Sequence, residues 1–273
     1  MTEPTPAAPP GDLKVSGYEI RAPRVNAPTG GRRPSGFRVV GRWALGAGVL
    51  GVVCAFVSGA HAAPRLVSFR AASGRTLTGL FVEAAARPAP AVILVPMLGR
   101  TKDDWQGVAQ QLAEANINAL ALDLPVLGVP AEPQALLGWH EDIRAASAFL
   151  AGRPGDVRPG AVGIAGASLG ASLAVIAAAS DTSVRSIALI SPSLDYRGVR
   201  IDAPLRQYGL RPALLVASLH DPYAARSVRE LAKDARGPRD VRWSSVPAHG
   251  TLLLSRDPDL VRSLVEWFQQ TLE

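Results

Sequence analysis

The stretch "AVGIAGASLGASLAVIAAAS", residues 161–180, decides how the chain is read. An apolar run ends at Gly166, Ser168 stands between Gly166 and Gly170, and an alanine-rich run follows. The plain reading is a small-residue turn between a strand and a helix. The sharper one takes G-x-S-x-G as a nucleophile turn, strained enough that the serine's neighbours must be small for strand and helix to approach. Ala167 and Ala171 extend the small-residue pattern. The strand before and the helix after favour Ser168 as a nucleophile.

Outward from this turn, strand-like and helix-like segments alternate. "LVSFRAASGRTLTGLFVEA" (66–84) alternates around Ser73-Gly74 and predicts a hairpin. The strand-like "AVILVP" then precedes the helical "DDWQGVAQQLAEA", where Thr101 and Asp104 have capping-box spacing. "INALALD" is the next strand, "PQALLGWHEDIRAASAFLAG" (133–152) one helix, and "AVGIAG" the strand leading to Ser168. "SVRSIALIS", "PALLVASL", a helix from about Ala224, "VRWSSVP" and the helix "PDLVRSLVEWFQQTL" complete the series. In that last helix Leu260, Leu264, Phe268 and Leu272 form one stripe for burial. Strands apolar throughout and separated by helices imply an α/β fold, with a mostly parallel central sheet and helices on both faces.

The 273 residues carry a net charge of +6, unevenly placed: residues 1–63 hold +4 of it, the remainder +2. That remainder has no basic tract interleaved with aromatics, which excludes nucleic-acid binding. The single cysteine, Cys54, excludes an internal disulfide and argues against a cysteine metal site. Residues 1–38, rich in proline, glycine and scattered charge, are expected to be disordered. Residues 39–63 read as a signal peptide or transmembrane anchor. From Trp43 to Pro64, "WALGAGVLGVVCAFVSGAHAAP" has no Asp, Glu, Lys or Arg, follows arginines and ends in the small-x-small Ala60-His61-Ala62. Either outcome places the domain 64–273 outside the cytoplasm, held to the membrane through residues 43–63 if the run is uncleaved. Within it "GAGVLG" (46–51) matches a dinucleotide fingerprint, but no acid follows about 20 residues on and no strand precedes it.

A serine nucleophile needs a base. Of four histidines, His61 lies in the leader, His140 within a helix, and His220 beside Asp221 with its side chain diverging. His249, in the loop "VPAHGTLLL", remains, with Gly250 giving that loop mobility. The base in turn needs an acid to orient it. Asp221, in "LLVASLHDPYAA", follows a strand and precedes a helix, where it would also serve as a cap. Asp195, in "ALISPSLDYRG", is the alternative acid. Asp221 is preferred because the order Ser, Asp, His then falls on successive strand ends. An oxyanion hole needs backbone N–H groups: Leu169, at a helix start, supplies one. The other lies in Pro96-Met97-Leu98-Gly99-Arg100, where Pro96 has no N–H, leaving Leu98 first and Met97 second.

With these residues in place, the chain from about residue 65 resembles the α/β-hydrolase superfamily, closest to its dienelactone-hydrolase-like and small carboxylesterase branches. The "GASLG" elbow, the "LHDPY" acid turn and the "AHGT" histidine turn carry the resemblance, with "ALDLPVLG" in the place of the usual glycine loop. Many relatives read His-Gly where this chain has Pro96-Met97, and dienelactone hydrolases proper typically use cysteine where it has Ser168. The resemblance implies an α/β-hydrolase fold and a serine hydrolase acting on small to medium esters or lactones without metal or organic cofactor. Only about 20 residues separate "SIALIS" from "PALLVASL", too few for a large lid. The competing readings are a peptidase or amidase with the same triad, and a non-catalytic binding protein of the envelope on a hydrolase scaffold. The sequence does not fix the oligomeric state.

Overall fold

A computed structural model describes residues 63–125, 132–233 and 237–273. The N-terminal segment, the apolar run apart from Ala63 and Pro64, and "GAGVLG" lie outside the described residues. Among the described residues no helix is long and apolar enough to cross a membrane.

The expected hairpin forms from β1 (Arg65–Arg70) and β2 (Thr76–Val82), paired antiparallel with Leu66 opposite Leu80. Next come β3 (Ala89–Val95), a 3-10 turn at Lys102–Trp105, α1 (Gln106–Glu114) and β4 (Asn118–Leu122). Then follow α2 (Pro133–Gly138), α3 (His140–Ala151), β5 (Val157–Ala167) and α4 (Leu169–Ser180). After β6 (Val184–Ile190) a short ribbon, β7 (Asp195–Tyr196) and β8 (Val199–Arg200), leads to α5 (Asp202–Tyr208). The chain ends with β9 (Ala213–Ser218), α6 (Pro222–Lys233), β10 (Arg239–Ser244), α7 (Thr251–Arg256) and α8 (Pro258–Thr271).

Eight strands form one sheet in the order β1-β2-β4-β3-β5-β6-β9-β10. From β4 to β10 every neighbouring pair is parallel. Alternation along β3 divides the core: Ala91, Ile93 and Val95 face α3 and α4, while Val92 and Leu94 face α1 and α8. Helices therefore cover both faces, as expected. Helix α4 is apolar nearly all round and correspondingly buried. The stripe of Leu260, Leu264, Phe268 and Leu272 is buried, and α8 sits so close to β5 that a Cβ on Gly163 would lie 2.7 Å from the Phe268 ring. Between β6 and β9 the described chain holds only the β7–β8 ribbon and α5, so no large lid is present there.

Two local expectations are corrected. The single helix over 133–152 is two, broken at Trp139, because the His140 Nδ1 donates to the Leu137 carbonyl (2.7 Å), which a continuous helix would use for residue 141. The Thr101–Asp104 capping box does not close. Thr101 accepts from the Asp103 N–H (3.4 Å), but the Asp104 carboxylate takes two bonds from Arg100 (2.7 Å each) and one from the Thr251 hydroxyl (2.6 Å). A guanidinium is a stronger partner for a carboxylate than a neutral backbone N–H.

Candidate active site

Ser168 closes β5 in a backbone conformation that L-residues rarely adopt, φ 53° and ψ −117°. Its N–H is fixed to the Ile190 carbonyl at the end of β6 (2.9 Å), and its own carbonyl accepts from Ala171 N–H (3.0 Å) as α4 begins. The two flanking glycines are sterically required. A Cβ on Gly166 would overlap the Gly170 carbonyl, and one on Gly170 would lie 2.6 Å from the Val95 carbonyl and closer still to that of Pro96. The loop after β3 is thereby pressed against the start of α4. In that loop Arg100 N–H bonds the Met97 carbonyl (3.1 Å) across a turn with Gly99 at φ 75°, leaving the Leu98 side chain exposed. Leu169 is fully buried at the first position of α4, where backbone N–H groups have no partner within the helix.

Asp221 follows β9 and does two things at once. Its Oδ1 accepts from Ala224 N–H (3.1 Å) at the start of α6, and its Oδ2 accepts from His249 Nδ1 at 2.5 Å. The capping role and the orienting role therefore coexist. With Nδ1–H committed to the carboxylate, a neutral His249 presents Nε2 as an acceptor. Among the described residues no hydrogen bond is formed by the Ser168 hydroxyl or by His249 Nε2.

Asp195, the alternative acid, is committed elsewhere: its Oδ1 accepts from Gly198 N–H (2.7 Å) across the β7–β8 turn, and Arg200 lies 3.7 Å from its Oδ2. The preference for Asp221 over Asp195 agrees with this pairing, and the turn at "DYRG" accounts for what Asp195 does instead. His220 is exposed and takes no part in the Asp221 pairing.

Three further contacts hold the histidine segment, and none was read from the sequence. Gly250 N–H donates to the buried Ser191 hydroxyl (3.0 Å), Thr251 is tied to Asp104, and the Ser218 hydroxyl donates to the Val246 carbonyl (2.5 Å). Gly250 has φ 60°, and a Cβ there would lie 2.6 Å from Met97 Sδ, so a side chain at the turn into α7 would be strained and would require that thioether to move. The Arg100 hydrogen bonds, aided by that from Thr251, hold the Asp104 carboxyl below its ordinary range despite partial burial. Among the described residues no cluster of three or more His, Cys, Asp or Glu suited to a metal occurs.

No protein-family model matches the chain, and no curated protein matches it in sequence. Solved structures do match it in fold. Dienelactone hydrolase from Anabaena variabilis superposes with TM-score 0.63 at 18% identity, covering 77% of this chain and 99% of that one. EstE1, a thermophilic carboxylesterase from a metagenomic library, gives 0.64 at 18% identity, covering 78% and 90%. The α/β hydrolase GrgF from a Penicillium species gives 0.64 at 14% identity, covering 77% and 99%. The architecture is the α/β-hydrolase fold.

Proposed function

We propose that the protein is a serine hydrolase that cleaves carboxylic esters or lactones through an acyl-enzyme on Ser168. The observation that carries this reading is the 2.5 Å hydrogen bond from His249 Nδ1 to Asp221, made across 28 residues of chain. It lies at the same sheet edge as a serine on a strained, glycine-flanked turn. Asp221 fixes the tautomer and stabilises the imidazolium; His249 Nε2 takes the Ser168 proton as the hydroxyl attacks the carbonyl, then returns it to the leaving alcohol. Water repeats the two steps on the acyl-enzyme. The hydroxyl–imidazole contact closes when substrate binds, since catalytic hydrogen bonds are often long in the free enzyme and tighten in the complex.

The backbone N–H groups of Leu169 and Leu98 stabilise the oxyanion, with Met97 as the alternative to Leu98. Pressing the Val95–Pro96 carbonyls onto Gly170 brings that loop beside the nucleophile without the His-Gly pair of many relatives. The connection between β6 and β9, which holds no large lid, suits small and medium acyl groups. The esterase and dienelactone hydrolase among the structural neighbours support the ester reading over an amidase. The arginine-led apolar run 43–63 supports a location outside the cytoplasm, tested by protease accessibility of the domain in intact cells.

The test is hydrolysis of short-chain p-nitrophenyl esters, together with labelling by a fluorophosphonate probe. Wild type is expected to turn over and to label on Ser168, and Ser168→Ala to do neither. Folded wild-type protein that never labels would leave the non-catalytic scaffold as the reading.

A further inference from the structure

At the end of β6 the nucleophile segment and the histidine segment are bonded to adjacent residues. Ile190 accepts the Ser168 N–H through its carbonyl (2.9 Å), and Ser191 accepts the Gly250 N–H through its hydroxyl (3.0 Å). Ser191 is itself fixed, its N–H on the Val216 carbonyl of β9 (2.7 Å), and 1% exposed. Like Ser168, it holds a left-handed φ, 50°, without being glycine. Such a conformation is kept only where the surroundings over-determine it. A glycine would take this φ without strain, but it has no hydroxyl.

We infer that Ser191 is a positioning residue for the reaction, registering the His249 imidazole against the Ser168 hydroxyl through the rigid pair Ile190–Ser191. This inference rests on the catalytic reading above. Asp221 controls how the imidazole ring is oriented within its own segment. Ser191 controls where that segment lies relative to the elbow, because it grips the peptide immediately after His249. A catalytic pair formed from residues 168 and 249 needs such a common anchor, since misplacement by about 1 Å costs on the order of a hundredfold in rate.

The experiment separates this role from mere support of the fold. Ser191→Ala removes the hydroxyl and keeps the strained backbone; Ser191→Gly removes the hydroxyl and the strain together; Ser191→Cys keeps the size and leaves a weak acceptor. Each full-length variant is assayed for kcat, KM and Tm with a short-chain p-nitrophenyl ester, with Ser168→Ala alongside. Positioning predicts that kcat falls by about ten- to a hundredfold in both Ala and Gly variants, with KM little changed. It predicts a smaller fall for Cys, while Tm is higher for Gly than for Ala. A kcat that follows Tm, recovering in Ser191→Gly, overturns the proposal, as does wild-type kcat in Ser191→Ala when Ser168→Ala is inactive. Hydrolysis persisting in Ser168→Ala overturns the catalytic reading and this inference with it.

Discussion

Both edges of the sheet carry left-handed backbone, at Asn116 and Gly209 on the amino side, but the residues that meet at the carboxyl edge are mostly short, whereas long polar side chains seal the amino edge. Ser168 and Ser191 end β5 and β6 with φ of 53° and 50°, and Gly250 turns into α7 at 60°. Opposite them, Arg211 donates to the carbonyls of Ala178, Asp181 and Val184 (2.7–2.8 Å), at the end of α4 and the start of β6. Arg239 donates to those of Gly209 and Arg211 (2.8 Å each). Tyr208 lies between the two guanidiniums, 4.1 and 5.7 Å from its ring, with its hydroxyl on the Pro212 carbonyl. Asn118 closes the other half of this edge: it accepts from Ala84 N–H (2.9 Å) and donates to the Asp156 carbonyl (2.9 Å).

Burial acts on this amino-edge cluster in the expected directions, lowering both arginine pKa values and raising that of the phenol. The arginine guanidiniums cap carbonyls at the strand starts and helix ends of this edge. The comparison teaches that long polar side chains cap carbonyls along the amino edge, although the buried Arg239 Nε there has no partner among the described residues. At the carboxyl edge the Ser168 hydroxyl and His249 Nε2 form no hydrogen bond among the described residues, as the proposed reading requires.

The strongest challenge to this division is at the carboxyl edge. Ser168→Ala and His249→Ala are expected to lower ester turnover by about 10⁴-fold or more while shifting Tm by less than about 3 °C. A large Tm loss in either would show that this edge is structural too. Arg211→Met is the converse case. Losing four charge-assisted bonds, that from Nε to the Tyr208 carbonyl included, is expected to cost about 3 kcal/mol, read as a Tm drop of roughly 6–12 °C with kcat unaltered. Asn118→Ala strands the Ala84 N–H, while the Asp156 carbonyl keeps its bond from Ala89 N–H, and is expected to cost about 1–2 kcal/mol in denaturant unfolding, again without a change in kcat. The smallest effect concerns Asp104, whose carboxyl is held below its ordinary range first by Arg100 and also by Thr251. A depressed carboxylate stabilises the fold above the unfolded pKa of about 4 and loses that contribution as pH falls through the folded value. Asp104→Asn should therefore flatten the acid decline of Tm by about 1 °C, more at low salt.

Much of this architecture was legible in the order of residues. Alternating apolar runs located every strand of the eight-stranded sheet, and fourfold spacing located α8. The ribbon β7–β8 and the short helices α5 and α7 were not legible, being too brief for periodicity to register. The capping box failed because the Asp104 carboxylate is taken by Arg100 and, from 147 residues away, by Thr251, a partner that no local motif encodes. Ser191 was missed for the same reason: before folding it is only a serine after a strand.

By itself, then, the sequence determined the strands of the main sheet, the longer helices around them and the turn at Ser168. These depend on hydrophobic period and on the absence of a side chain at Gly166 and Gly170, both local properties. Only the tertiary structure decided that Asp221 rather than Asp195 faces His249, and that Gly250 N–H reaches Ser191 across 59 residues. Hydrogen bonds act over about 3 Å, and which groups come that close is fixed by the order in which strands assemble, not by their order along the chain.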